Sequence, residues 1–143
     1  DTGANKLYEG HTSWVNCLET YVTHDENGNV KNKWLLSGSD DATIRVWDLD
    51  STKRLEKLQE HKNGVLCMTL SKTKLFSGSA DHFTIFWDMK VIERRIHEIL
   101  LMEREDLLSR KAEAMYNFLE AKFGRRKKKG KGKGGKGKKG KKK

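Results

Sequence analysis

Histidine, serine and aspartate occur twice at matching positions, as His11, Ser37 and Asp41 and then as His61, Ser77 and Asp81. A hydroxyl, an imidazole that takes its proton and a carboxylate that orients the imidazole are the parts of an acyl-transfer triad. The duplication argues against that use. A nucleophile works in one exposed cleft beside an oxyanion site, whereas this set recurs at a fixed period, each time with a tryptophan, Trp47 or Trp87. The same groups have a second use inside an apolar layer. Imidazole donates from one nitrogen to a carboxylate and accepts a hydroxyl proton at the other, while the indole N–H needs a fixed acceptor. An unpaired buried donor or acceptor costs on the order of 1–3 kcal/mol, so such a set stands or falls together. No catalytic residue is expected. Metal chemistry fares no better, because His11 and Cys17, like His61 and Cys67, lack any paired C-x-x-C of zinc-site spacing. Neither a metal nor a cofactor is expected.

The elements that must position these residues form an internal repeat. SGSDDATIRVWD at 37–48 returns as SGSADHFTIFWD at 77–88, each a strand, a tight turn at Asp41 or Asp81, and a strand closing on Trp-Asp. Upstream of each copy stands a histidine, in GHTSWVNCL and in EHKNGVLCM, and 10 of 24 aligned positions are identical. A repeat of this period is the mark of a stacked or radial architecture.

These residues resemble the WD-repeat β-propeller family, across about residues 1–90. The resemblance implies four antiparallel strands per blade, arranged radially around a channel. The fold class expected is therefore mainly β: a partial WD40 β-propeller of two four-stranded antiparallel blades, then a C-terminal amphipathic helix and a disordered basic tail. It also implies a non-catalytic scaffold for other proteins, in a eukaryotic, intracellular setting, cytoplasmic or nuclear. Residue by residue, it makes His11, Ser37, Asp41 and Trp47 a buried hydrogen-bonded tetrad, and His61, Ser77, Asp81 and Trp87 a second. The rim shared in the family by the d–a loop and the b–c turn nominates Trp14, Asn16, Asp40, Asn63, Leu66 and His82 as partner contacts.

Taken in order, residues 1–10 read as the outer strand of a preceding blade, with Lys6-Leu7-Tyr8-Glu9 matching Lys57-Leu58-Gln59-Glu60. The chain thus reads as the C-terminal piece of a longer protein, its missing blades supplied by upstream sequence or by other copies. Residues 11–60 form the first repeat, with a hairpin insertion at 24–33 whose Asn27-Gly28 signals a type I′ turn. Residues 61–100 form the second, with 91–100 as its outer strand, although their spacing also permits helix. Phe83 and Ile85 replace Thr43 and Arg45. Strand residues alternate faces, so the two apolar side chains are expected on a face that is solvated in the first repeat and covered in the second. Cys17 and Cys67 lie in apolar strand patterns and are expected to be buried and reduced.

Residues 101–124 carry a helical pattern, with Leu108, Ala112, Met115 and Leu119 at steps of three and four and Asp106–Arg110 as an i,i+4 pair. The stripe must dock on its own propeller or on a partner. Residues 125–143 contain 13 Lys or Arg and 6 Gly; with the chain at +10, residues 1–124 carry 10 − 13 = −3. The basic character belongs to that tail. Such a tail orders poorly alone, and it binds polyanions in a salt-sensitive way. Arg125, Arg126, Lys127, Lys128 and Lys129 begin it, and lysine without aromatics implies phosphate contact without base reading. RNA, an acidic protein or an import receptor fits. No apolar run approaches the roughly 18 residues of a membrane span.

The function expected is a protein-interaction scaffold with a polyanion-binding or nuclear-import tail. The alternatives are the target-recognition module of a larger kinase or ubiquitin ligase, and a nucleic-acid-binding protein in which the tail is the main function.

Overall fold

The computed structural model describes residues 5–123, which divide into two units between Ile99 and Leu100. In the first unit, β1 (Val15–His24), β2 (Val30–Ser39), β3 (Ile44–Asp48) and β4 (Arg54–Leu58) make a sheet in that order. A second sheet holds β5 (Val65–Ser71), β6 (Lys74–Ser79) and β7 (Thr84–Asp88). Every pairing is antiparallel.

Alternation and register decide which side chains share a face. Leu36 pairs with Val46 and Gly38 with Ile44, while Ser37 pairs with Arg45 and Leu35 with Trp47. The first set forms a front face and the second a back face. In the second sheet Phe76 pairs with Phe86 on the front, and Leu75 with Trp87 and Ser77 with Ile85 on the back. The core is the front of sheet one against the back of sheet two. Leu36, Ile44, Val46 and Leu58 cluster with Val65 and Leu75, and Met68, Leu70 and Trp87 pack against them. Leu36, Val46 and Leu75 are fully buried, and each such side chain contributes roughly 1.5–3 kcal/mol. The sheets meet closely at Gly38, where a Cβ would stand 2.7 Å from both Cys17 Sγ and Val65 Cγ1.

The hairpin insertion extends β1 and β2, but its turn is not type I′. Gly28 alone has positive φ (80°), Gly28 N–H donates to Asp25 O (3.0 Å), and Asp25 Oδ1 accepts from the N–H groups of Asn27 and Asn29. That is a type I turn with a left-handed glycine after it. The Asp25 carboxylate selects it.

The second sheet has three strands where four were expected. Instead of an outer strand at 91–100, α1 (Met89–Phe123) begins directly after β7. Asp88 Oδ1 caps it by accepting the Lys90 N–H at 2.9 Å. Met89, Ile92 and Ile96, spaced three and four apart, are buried in the core cluster with Tyr21 and Trp34. A 3.6-residue period therefore prevails over strand alternation. Glu93 Oε1 accepts from Lys31 Nζ (2.9 Å) and Asn32 Nδ2 (2.7 Å), both in the insertion, and Arg95 Nε lies 3.6 Å from Glu56 on β4. The helix start is thus held by sheet one. Burial first, then the Glu93 carboxylate, pushes the Tyr21 hydroxyl to about 12.

Residues 5–14 form no strand. Tyr8 stacks edge-on to Trp47 at 5.9 Å, and its hydroxyl donates to Leu49 O (3.1 Å), which Lys6 Nζ also reaches (2.9 Å). The face expected to be solvated in the first repeat is in fact buried: Thr43 is 5% and Arg45 7% exposed. In the second repeat Phe83 is exposed and Ile85 only partly buried. Cys17 is half-buried, but Cys67 is exposed, because it lies on the front of sheet two, which nothing in sheet one covers; both thiols are free.

In the second unit, residues 100–123 continue α1 with exposed side chains. Arg110 pairs with Asp106 at 2.9 Å, and Lys122 Nζ sits over the rings of Phe118 and Phe123.

Candidate functional site

Two hydrogen-bonded chains link the residues that the repeat brings together. In the first, Trp47 Nε1–H donates to Ser37 Oγ (2.8 Å), Ser37 Oγ lies 2.7 Å from His11 Nε2, and His11 Nδ1 lies 2.8 Å from Asp41 Oδ2. In the second, Trp87 donates to Ser77 (2.8 Å), Ser77 meets His61 Nε2 (2.8 Å), and His61 Nδ1 meets Asp81 Oδ2 (2.9 Å). Ser Oγ accepts the indole N–H, and with its own proton given to Nε2 the imidazole donates Nδ1–H to the carboxylate, an arrangement that leaves no polar group of the set unpaired.

Local structure places each member. Strand β2 or β6 supplies the serine, β3 or β7 the tryptophan, the four-residue turn between them the aspartate, and the preceding loop the histidine. The turns close through Ala42 N–H to Ser39 O and His82 N–H to Ser79 O, with Ala42 (φ 65°) and His82 (φ 72°) left-handed. Ser39 Oγ and Ser79 Oγ accept the N–H of Asp41 and Asp81.

Around Asp41, desolvation works to raise the carboxyl pKa, but donors outweigh it. Thr43 Oγ1–H at 2.5 Å, His11, and the N–H groups of Thr12 and Thr43 hold it well below the usual carboxylate range. Asp81 is likewise desolvated yet lowered, by the N–H groups of Lys62 and Phe83 and by His61. The Thr43 hydroxyl has no counterpart at Phe83, and sequence reasoning missed it. Its signal was the polar residue two after Asp41. Arg45 was missed as well: its side chain is 8% exposed, with Nη2 3.9 Å from Asp41, while Nε and Nη1 find no hydrogen-bond partner among the described residues.

Ser37 is 3% and Ser77 0% exposed, so neither hydroxyl faces an open cleft. Among the described residues no group of His, Cys, Asp and Glu is arranged to hold a metal, and no helix is long and apolar enough to cross a membrane.

The six nominated contact residues divide. Trp14 is 80% and Leu66 51% exposed. His82 occupies the left-handed turn position. Asn16 and Asp40 are exposed but bonded to each other (2.6 Å), and Asn16 Nδ2 also donates to Val65 O (3.0 Å), so this pair staples the two sheets. Asn63 Oδ1 accepts the Gly64 N–H (2.8 Å), and its carbonyl accepts Ser79 Oγ–H (2.9 Å). Arg125, Arg126, Lys127, Lys128 and Lys129 lie outside the described residues.

Comparison with known proteins meets the same repeats. The family model described as WD domain, G-beta repeat matches residues 4–48 and 52–88. The pre-mRNA-splicing factor PRP46 of Candida albicans is 32% identical over 86 residues, covering 59% of this chain and 20% of that protein. The small ribosomal subunit protein RACK1y of Oryza sativa subsp. japonica is 32% identical over 83 residues, 57% of this chain and 23% of that protein. The human DDB1- and CUL4-associated factor 5 is 30% identical over 102 residues, 64% of this chain and 10% of that protein. The chain spans a quarter or less of the length of these relatives. WD-repeat proteins are generally non-catalytic and bind other proteins. With more than half of its length matched by the family model, repeat by repeat, the chain belongs to the WD-repeat family.

Proposed function

We propose that this chain is a non-catalytic, intracellular protein-interaction scaffold, part of a propeller whose further blades come from upstream sequence or from other copies. Its rim residues Trp14, Asn63, Leu66 and His82 contact the protein partner, while Asn16 and Asp40 shape that rim by joining the sheets. The observation that carries this reading is the contrast between the two sets of residues. The serine, histidine and aspartate of each repeat are locked in a hydrogen-bonded tetrad, whereas a tryptophan, a residue type enriched at binding hot spots, stands 80% exposed at the blade edge. The tetrads hold the loops that present the rim. Losing one hot-spot tryptophan costs 2 kcal/mol or more of binding energy. Quantitative affinity capture with the wild-type chain and with Trp14→Ala and Leu66→Ala tests the reading. Specific partners are expected to drop out with both variants, and an unchanged set of partners rules the rim out.

The basic tail supports a second activity, polyanion binding. Thirteen basic residues within 125–143 make sequence-independent phosphate contacts. Binding to a homopolymeric RNA that weakens steeply with salt, and that disappears on truncation after Phe123, is the expected result. Retention of binding by the truncated chain would refute the tail's part.

The target-recognition module of a larger ubiquitin ligase is the runner-up. The name of one relative describes a DDB1- and CUL4-associated factor. Recovery of those two proteins with this chain would move that reading to first place.

A further inference from the structure

Asparagine followed by glycine occurs twice, as Asn27-Gly28 and as Asn63-Gly64. That dipeptide carries both halves of a reaction, an amide carbon on one residue and a backbone nitrogen on the next, where no Cβ hinders approach. The two copies sit in opposite settings.

At Asn27 the nitrogen is taken. Gly28 N–H donates across the turn to Asp25 O at 3.0 Å, and Asp25 Oδ1 holds the N–H groups of Asn27 and Asn29 at 2.9 and 2.8 Å. Closing a ring there means breaking the turn that the Asp25 carboxylate selects.

At Asn63 the nitrogen and the amide already face each other. Gly64 N–H donates to Asn63 Oδ1 at 2.8 Å, and to no other acceptor among the described residues. Asn63 is exposed, so water reaches its amide and ammonia has a way out. The χ2 torsion of asparagine is broad, and rotation about it presents the carbonyl carbon to the nitrogen in place of Oδ1. Holding two reacting groups in contact in this way favours the step by proximity. Packing also fixes the glycine. A Cβ on Gly64 would stand 2.6 Å from Asp40 Oδ1 and 3.0 Å from Asp40 Cα, so the approach of the neighbouring sheet's turn imposes the labile sequence.

We infer that Asn63-Gly64 is a self-modification site on the rim, whereas Asn27-Gly28 is protected by its turn. Solvent base takes the Gly64 amide proton, and the nitrogen attacks Asn63 Cγ. The N–Cγ bond forms, the Cγ–Nδ2 bond breaks, and ammonia departs to leave a cyclic imide. Water then opens the imide. Opening at Cγ gives aspartate, and opening at the backbone carbonyl gives isoaspartate, in which the main chain runs through Cβ and Cγ. Nothing is oxidised or reduced.

The isoaspartate alters what the loop can hold. Lys62 N–H donates to Asp81 Oδ2 (2.8 Å), Asn63 O accepts from Ser79 Oγ (2.9 Å), and Gly64 O accepts the Ala80 N–H (3.0 Å). Consecutive residues thus grip the turn that carries the second tetrad's aspartate. An extra main-chain carbon between Asn63 Cα and Gly64 N puts the last grip out of register with the first, and the new carboxylate adds negative charge to the rim. The chemistry stands apart from the partner reading above; only its effect on a partner rests on that reading.

Peptide mapping of the folded full chain, aged at physiological temperature and digested at mildly acidic pH, gives the test. Electron-transfer fragmentation separates isoaspartate from aspartate. Position 63 is expected to convert to both products, faster as pH rises, while position 27 converts several-fold more slowly. In denaturant that gap should close, because both settings are lost. Asp25→Ala should speed conversion at 27 alone, and Asn63→Gln, which enlarges the ring to be closed, should abolish conversion at 63. A folded chain that keeps Asn63 intact overturns the inference, as does one in which Asn27 converts first. So does an Asp25→Ala chain with no change at 27. Amide exchange on the separated isoaspartate form reads the consequence. The Ala80 N–H is expected to lose protection, and full protection there would overturn the loosening of the turn.

Discussion

Leu36 and Phe76 occupy the same position in successive sheets, yet Leu36 has no exposed surface and Phe76 is 37% exposed. The difference is the neighbour: the back of sheet two covers the first, and nothing among the described residues covers the second. Leu36→Ala is therefore expected to lower stability by about 2–5 kcal/mol. Phe76→Ala should lower it far less in the monomer. Equilibrium denaturation in urea, followed by tryptophan fluorescence, compares the two; equal losses would contradict this account of the core.

Ser37 and Ser77 each accept an indole N–H and serve an imidazole nitrogen. Ser37→Ala leaves both groups unpaired in a dry site, with an expected loss of about 1–3 kcal/mol for each group orphaned. Ser77→Ala should be milder, because Trp87 is only partly buried. A tolerated Ser37→Ala, seen as an unchanged denaturation midpoint, would mean that the tetrad carries little stability.

The turn residues Ala42 and His82 have φ of 65° and 72°, a region that penalises a Cβ by roughly 1–2 kcal/mol. Glycine relieves that strain and returns part of the gain as chain entropy. Ala42→Gly should raise the midpoint of thermal unfolding modestly, and a fall in midpoint would show that the turn is not strained.

Asp41 and Asp81 both have folded pKa values below the ordinary Asp value. The unfolded chain then binds more protons than the folded one as pH falls, so the contribution is full above about pH 4 and declines as pH drops through the ordinary Asp pKa of roughly 3.9 towards the folded values. Denaturation midpoints measured from neutral pH down to pH 2 should decrease steadily below pH 4. Asp41→Asn should flatten that decline, and an undiminished slope in the variant would assign it to other carboxylates.

Burial above all pushes the Tyr21 hydroxyl up to about 12, from the usual value near 10. Its contribution to stability is present below pH 10 and is lost as pH rises through 12. Tyrosinate absorbance should resolve one late-titrating tyrosine, and Glu93→Gln should bring it only part of the way back, since burial is the larger cause. A full return to the ordinary value would reverse that ranking.

The strands and the members of each tetrad were legible because the repeat fixes their types: serine on one strand, tryptophan on the next, aspartate in the turn between. Elsewhere local spacing underdetermined the fold. Residues 91–100 carry Ile92 and Ile96, which satisfy a helix as well as a buried outer strand, and only the room beside Tyr21 and Trp34 makes the helix win. Asn27-Gly28 signals a type I′ turn by itself, but Asp25 two residues earlier captures the neighbouring N–H groups and selects another turn. Arg45 reads as a solvated residue on an alternating strand; its burial comes with the approach of Gly10, a contact from a distant segment that strand periodicity does not encode.

The helix that follows β7 is fastened to the other sheet, through Glu93 to Lys31 and Asn32 and through Arg95 to Glu56. In mechanical terms this fixes a load path. A pull on the chain beyond Ile96 bears on the hairpin and outer strand of sheet one before it reaches β7. The hairpin insertion and the missing outer strand, the two places where the repeats differ most in length and form, are the two ends of one strap.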